Sequence, residues 1–365
     1  PPPPPPPPTH PPPPPPPPPP HTTRRQRQMC IRDSQGKLET AKEMFRGAKE
    51  CGADAVKLQK RDNRQLYTQA AYDKPYDHEN SFGLTYGEHR EALEFGWDEY
   101  KELMDYAKEI GITMFSTAFD FPSADCLAEL DVPAFKIASG DLKSIPLLTY
   151  IAKFQKPMIL STGGGTMEDF HSAYDAIMPI NQQLCLLQCT AGYPAAFDEL
   201  NLRVITSFRE RFPDITIGLS SHDNGIAMAV VGYMLGARVV EKHFTLNHTW
   251  KGTDHAFSLE PIGMKKMVRD LRRTRVAMGD GVKKIYETEV NPIIKMGKKL
   301  VAERDLPAGH ALKREDIALK SPGDGLPPYE LDKVIGRVTR GALNKDDDIT
   351  FEVLNGSEGW AEAAS

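Results

Sequence analysis

Two textures alternate along the chain from Lys37 onward. Stretches with apolar side chains every three to four residues, such as Leu38, Ala41, Met44, Phe45 and Ala48, predict helices with one buried face. Between them lie short apolar runs, most of them rich in β-branched residues. These predict strands at Asp54–Gln59, Thr113–Phe119, Ala134–Ser139, Pro157–Gly163, Leu184–Thr190, Thr216–His222 and Val239–Thr245. Near-continuous apolar strands alternating with helices predict a parallel α/β sheet with right-handed crossovers. Each strand starts apolar and ends polar: in Lys57 and Gln59, Ser116 and Thr117, Lys136 and Ser139, Ser161 and Thr162, Gln188 and Thr190, Ser220 and His222, Glu241 and His243. A doubly wound sheet gathers such groups at one switch point, whereas a closed barrel carries them around its whole C-terminal rim. The pattern therefore predicts a (β/α)8 TIM-type barrel.

Such a barrel needs one more strand ahead of Lys37. Residues 24–34 offer only a short apolar patch at Met29–Ile31 among Arg24, Arg25, Arg27 and Arg32. Unpaired strand edges are costly, so either this segment fills the gap or the first strand is missing or replaced. Residues 1–20 hold 18 of the 32 prolines. A proline run lacks N–H donors and forms an extended helix without a core. Residues 1–34 are accordingly read as a disordered segment outside the fold, and residues 35–280 as the barrel domain, whose final helix is expected around Gly263–Met278. Residues 281–296 read as a linker, 297–354 as a second, small domain of short strands and turns, and 355–365 as a disordered tail.

Charge and composition narrow the function. The formal net charge of −5, from 45 Lys+Arg against 50 Asp+Glu, lacks the basic excess of a nucleic-acid binder. No apolar run reaches the ~18 residues of a membrane span. The five cysteines are odd in number and scattered. They make no disulfide framework and point to a reducing, cytoplasmic setting.

The strand ends carry the candidate chemistry. His222 and His243 end neighbouring strands, and two imidazoles at one barrel mouth can hold a divalent metal with open positions. The alternative is two histidines hydrogen-bonded independently. Glu241 shares the face of His243 and is a candidate third ligand, orienter or acid/base group. Lys57 and Lys136 sit inside apolar strands, where an ammonium needs an anion. With Thr117, Ser139, Ser161 and Ser220 they read as a cradle for a phosphate or carboxylate; a structural ion pair or a Schiff-base lysine are the other options. Gly163-Gly164-Gly165 is either a phosphate-approaching loop or a tight turn, and Cys185 and Cys189 read as core thiols.

Taken in order, the motifs resemble those of sialic acid synthases. They are Asp54-Ala55-Val56-Lys57-Leu58-Gln59, Phe115-Ser116-Thr117, Phe135-Lys136-Ile137-Ala138-Ser139-Gly140-Asp141, Leu160-Ser161-Thr162-Gly163, Gln188-Cys189-Thr190 with Tyr193-Pro194, Gly218-Leu219-Ser220-Ser221-His222, Glu241-Lys242-His243-Phe244-Thr245, Trp250-Lys251-Gly252-Thr253-Asp254-His255 and Ser258-Leu259-Glu260-Pro261. The C-terminal part resembles that family's antifreeze-like (SAF, β-clip) domain. The resemblance spans roughly residues 35–354 and implies a metal-dependent transferase that forms a carbon–carbon bond. It would condense phosphoenolpyruvate with an N-acetylhexosamine such as N-acetylmannosamine, yielding a sialic acid and phosphate. It also implies roles: Lys57, Thr117, Lys136, Ser139, Ser161 and Ser220 for phosphoenolpyruvate; His222 and His243 for Mn²⁺ or Mg²⁺; Gln59, Tyr193 and Asp254 for the sugar; Glu241 as a candidate for proton handling. A domain-swapped homodimer is implied too, with the antifreeze-like domain of one subunit over the barrel mouth of the other.

Three departures from the family pattern stand out. The first strand normally ends in an Ala-Glu-Ile-Gly type motif followed by an Asn-His-x-Gly turn; here Asp33-Ser34-Gln35-Gly36 occupies the turn and the glutamate is absent. Ala191 stands where many members carry Asn or Ser, and Ser321-Pro322-Gly323 replaces an Arg-Pro-Gly, with Lys320 as a substitute cation. Two other readings remain open. One is a synthase for a legionaminic, pseudaminic or 9-phosphorylated sialic acid; the other is a truncated, non-catalytic anion-binding protein.

Overall fold

The computed structural model describes residues 27–30 and 36–355. The proline run and the tail beyond Asn355 lie outside the described residues, and with them the expectation that they have no fold. Eight parallel strands close into a barrel: β1 (Arg27–Cys30), β2 (Ala55–Lys60), β3 (Thr113–Ala118), β4 (Phe135–Ile137), β5 (Met158–Ser161), β6 (Leu184–Cys189), β7 (Thr216–Ser221) and β8 (Val239–His243). All seven strands expected from the pattern are present within a few residues of their expected bounds.

The barrel starts earlier than residue 35, which corrects the expected boundary. In β1, Cys30 pairs with Lys57 of β2 on one side and with His243 of β8 on the other. Without this segment β2 and β8 would each expose a row of backbone N–H and C=O groups. Ladder pairing uses only the backbone, so a segment with poor strand composition can satisfy it. Its residues are Arg, Gln, Met and Cys.

Alternation along the strands sorts the side chains. Outward positions such as Val56, Leu58, Met114, Phe135, Ile137 and Leu160 join the large core under the surrounding helices. Inward positions Ala55, Phe115, Ala134, Ile159, Leu187 and Val239 form a separate apolar floor inside the barrel. Gly218 belongs to this level: a Cβ there would lie 2.5 Å from Leu187 Cδ2 and 2.6 Å from the Val239 carbonyl oxygen, so only glycine fits. The barrel unit ends with the helix Pro261–Ala277. Among the described residues no helix is long and apolar enough to cross a membrane.

The chain divides after Met278 into a second compact unit, Gly279–Ser365. Lys299–Ala302 pairs antiparallel with Ile317–Lys320, and Val338–Thr339 with Leu354–Asn355. Leu300, Leu306, Leu312, Ile317, Val334, Ile349 and Leu354 are buried together. The stretch read as a linker contains the helix Glu287–Met296, and Gly323 N–H donates to its Ile294 carbonyl at 2.6 Å. Lys320, expected as a substitute cation, is paired with Asp346.

Asp316 is fully buried in this unit. Its carboxylate accepts from Arg304 Nη2 at 2.6 Å, His310 Nε2 at 2.8 Å and the Lys313 amide at 2.9 Å. Burial alone would raise its pKa, but the bonds from His310, the Lys313 amide and Arg304 hold it down at about 2. The stabilisation is therefore present above the ordinary aspartate value of ~3.9 and is lost as pH falls through about 2. Asp316→Ala is expected to cost the unit ~2–3 kcal/mol at pH 7, with the gap from the parent closing toward pH 2. Hydrogen exchange of residues 299–354 checks this, and unchanged protection at pH 7 contradicts it.

Candidate functional site at the barrel mouth

The strand register builds the rim. One ladder row runs through Gln59, Thr117 and Lys136, and another through Cys189, Ser220 and Glu241. All of these point inward, one level above the apolar floor. They meet in a cavity of about 50 Å³ lined by Lys57, Gln59, Thr117, Lys136, Ser139, Ser161, Tyr193, Ser220, His222, Glu241 and His243, together with Ala138 and Cys189. Every residue expected at the site lines this cavity except Asp254, which stands beside His243 with its Oδ2 3.6 Å from Nδ1.

At the centre, Glu241 Oε1 lies 3.7 Å from Lys57 Nζ and 3.9 Å from Lys136 Nζ, and accepts from Ser220 Oγ at 3.1 Å. Lys57 also donates to Thr117 Oγ1 at 3.4 Å, and Lys136 to Ser161 Oγ at 2.5 Å and the Ile137 carbonyl at 2.9 Å. Glu241 Oε2 is buried without a hydrogen-bond partner. Burial would raise the Glu241 pKa, but Lys136, Lys57, His243 and Ser220 hold it at about 2. The ion pair named as one alternative is thus present, built from the same lysines and hydroxyls that were read as an anion cradle. The carboxylate is the counter-charge of both ammoniums.

The glycine run has a steric role. A Cβ on Gly163 would sit 2.8 Å from Ser139 Oγ and 2.9 Å from Ala191 Cβ. The Gly163 amide donates to Ser139 Oγ at 3.0 Å. The following helix, Met167–Ile177, starts only after a Thr166–Asp169 capping box. The tight-turn reading therefore describes this segment.

The two imidazoles converge, with ring centroids 5.2 Å apart. His222 Nδ1 lies 2.8 Å from the Thr190 carbonyl. A carbonyl only accepts, so Nδ1 carries the proton and Nε2 is the lone-pair nitrogen of the neutral ring. The Tyr193 ring centroid is 4.2 Å from that of His222, and the Phe257 centroid 5.1 Å from that of His243. Among the described residues no group of three or more His, Cys, Asp or Glu side chains forms a ligand cluster. The donor set fits a dication held by two imidazoles, with its other positions left to water and substrate.

Two residues near the site were not expected there. Cys189 lines the cavity beside His222. Burial pushes its thiol up, but His222, Ser139 and Lys136 outweigh this and leave it below its ordinary value. Asp141 follows Ser139 at the end of β4; burial pushes it up to about 6, against the pull of Arg61 and Lys136. It therefore carries a proton over part of the range near neutrality, which Glu241 does not. A cysteine inside an apolar strand reads as core, whereas an aspartate two residues past a polar strand end was a visible signal.

Comparison with known proteins places this geometry. The profile of the NeuB family matches residues 44–283, and that of the SAF domain matches residues 299–354. The chain is 40% identical over 322 residues to the N-acetylneuraminate-9-phosphate synthase of Mus musculus, covering 88% of this chain and 90% of that protein. It is 34% identical over 321 residues to the N,N'-diacetyllegionaminic acid synthase of Campylobacter jejuni, covering 86% and 94%. Among solved structures, an N-acetylneuraminic acid (sialic acid) synthetase from Leptospira borgpetersenii in complex with citrate superimposes with a TM-score of 0.63 at 27% identity, covering 73% of this chain and 88% of that one.

Removing the central carboxylate tests the cradle. Glu241→Gln leaves two buried ammoniums without their counter-charge and is expected to cost ~3 kcal/mol at pH 7. Because the folded pKa of about 2 lies below the ordinary ~4.3, this contribution is present above the ordinary range and lost as pH falls through about 2. Millimolar inorganic phosphate is expected to raise the melting temperature of the variant more than that of the parent. Equal phosphate shifts in the two proteins contradict an anion seat.

Proposed function

Because the chain belongs to the NeuB family, we propose that it condenses phosphoenolpyruvate with an N-acetylhexosamine to give a sialic-acid-type product and phosphate. The observation that carries this reading is the meeting of Lys57 and Lys136 on one buried carboxylate, within a ring of hydroxyls and beside two imidazoles. Phosphoenolpyruvate carries a phosphate and a carboxylate. Lys57, Lys136, Thr117, Ser139, Ser161 and Ser220 offer charge and hydrogen bonds for both. Gln59 and Tyr193, which line the cavity, and Asp254, beside His243, would contact the acceptor sugar.

His222 and His243 would hold Mn²⁺ or Mg²⁺. Such an ion, when bound, supplies Lewis-acid polarisation of the open-chain aldehyde. C3 of phosphoenolpyruvate forms the new bond to that aldehyde carbon, and positive charge develops at C2. Water adds at C2 as one of its protons passes to the alkoxide left on the former aldehyde carbon; the tetrahedral intermediate then expels phosphate, the C2–O(phosphate) bond breaking as the C2 hydroxyl gives up its proton and becomes the keto oxygen. Glu241 is ionised throughout the working range. It fits a role in stabilising the positive charge and accepting from the incoming water rather than in donating a proton.

The stronger likeness to the mouse 9-phosphate synthase than to the legionaminic synthase favours a 6-phosphorylated N-acetylmannosamine as acceptor. The reading also includes a homodimer. The free thiols of Cys51, Cys126, Cys185 and Cys189 fit a reducing, cytoplasmic setting. A phosphate-release assay tests it with phosphoenolpyruvate, Mn²⁺ and four acceptors: N-acetylmannosamine, its 6-phosphate, and the legionaminic and pseudaminic acid precursors. Release is expected with the 6-phosphate at the highest kcat/KM. Release only with another acceptor overturns the acceptor choice, and no release with any supports a non-catalytic anion binder instead.

A further inference from the structure

A buried ion pair lies directly behind the two imidazoles. Lys242 stands between Glu241 and His243 on β8, so its side chain leaves the opposite face of the strand and does not line the cavity. Its Nζ donates to Asp223 Oδ1 at 2.9 Å and to the Asp223 backbone carbonyl at 2.6 Å. Both side chains are 1% exposed. Asp223 follows His222 immediately, and its Oδ1 also accepts from Ser221 Oγ. Asp223 Oδ2 is buried with no partner.

The position of this pair matters because of where the sheet ends. The β7–β8 ladder closes at the pair Ser221 and Lys242. His222 and His243 lie one residue beyond it, so no bond of that ladder spans them. A loop amide reaches each histidine backbone: Ala195 N–H donates to the His222 carbonyl at 3.2 Å, and Leu259 N–H to the His243 carbonyl at 2.8 Å, while His243 also pairs with Cys30 of β1. The Lys242–Asp223 bridge ties the residue after one histidine to the residue before the other. A buried ion pair is a poor source of stability compared with apolar residues of similar volume, and fixing a geometry is a better-attested use.

We propose that the Lys242–Asp223 pair is the positioning element that sets the separation of His222 and His243 for a shared dication. This rests on the reading that the two imidazoles hold the metal. The pair touches neither metal nor substrate, so its loss acts through the histidines and leaves the lysine cradle intact.

The test measures Mn²⁺ binding to the metal-free full chain by titration calorimetry, and phosphoenolpyruvate binding without metal. The proteins compared are the parent, Lys242→Met, Lys242→Arg, the double variant Lys242→Met/Asp223→Leu, and His222→Ala as control. The double variant removes both charges, so it keeps the proposal testable where Lys242→Met fails to fold. Mn²⁺ affinity is expected to fall 10–100-fold in Lys242→Met and in the double variant. Lys242→Arg is expected to recover most of it, with phosphoenolpyruvate affinity unchanged throughout. Parent-like Mn²⁺ affinity in the double variant, with loss in His222→Ala, overturns the positioning role alone. Mn²⁺ binding that is absent from the parent or unaffected by His222→Ala overturns the two-imidazole reading and this inference with it.

Discussion

Two ammonium groups buried inside the barrel set the terms for the rest of the rim. Lys57 and Lys136 are each about 97% shielded from water, at 3% and 2% exposure. A buried cation is tolerated only with a matching anion and filled hydrogen bonds. Glu241, Thr117, Ser161 and the Ile137 carbonyl supply these, and Ser220 donates to Glu241 in turn. A dianionic ligand would find the charge already assembled and desolvated, which is where electrostatic interactions are strongest.

The fold makes this arrangement possible by separating two levels of one interior. Below, Ala55, Phe115, Ile159, Leu187 and Val239 form an apolar floor. Above, the same strands, two residues further on, present Lys57, Thr117, Ser161, Cys189 and Glu241. Period-two alternation therefore converts an apolar-to-polar gradient along each strand into an apolar base and a reactive rim. The paired histidines lie at the edge of that rim, one residue past the β7–β8 ladder, with His243 still paired to Cys30 of β1 on its other side.

Much of this was legible in the chain itself, because the gradient repeats in seven apolar runs and each run ends in groups that an apolar core would reject. What escaped the sequence did so for definable reasons. The strand Arg27–Cys30 has no hydrophobic pattern; closure through backbone bonds recruits it, and composition does not reveal that. The helix Glu287–Met296 has no buried side chain and contains Pro292, so neither burial periodicity nor propensity marked it. Cys189 looked like core because a thiol in an apolar strand usually is. Lys242 was hidden between Glu241 and His243, two residues that line the cavity, and only the direction in which it leaves the strand sets it apart from them.

The central claim is that one seat, built on Lys57 and Lys136, binds a small molecule with two acidic groups. Equilibrium binding of phosphoenolpyruvate to the full chain and to Lys136→Met, at fixed salt, tests it most directly. Loss of a buried charged hydrogen-bonding partner is worth ~2–4 kcal/mol, so the account predicts affinity weaker by about 30- to 1,000-fold in the variant. A dissociation constant equal to that of the parent would contradict it.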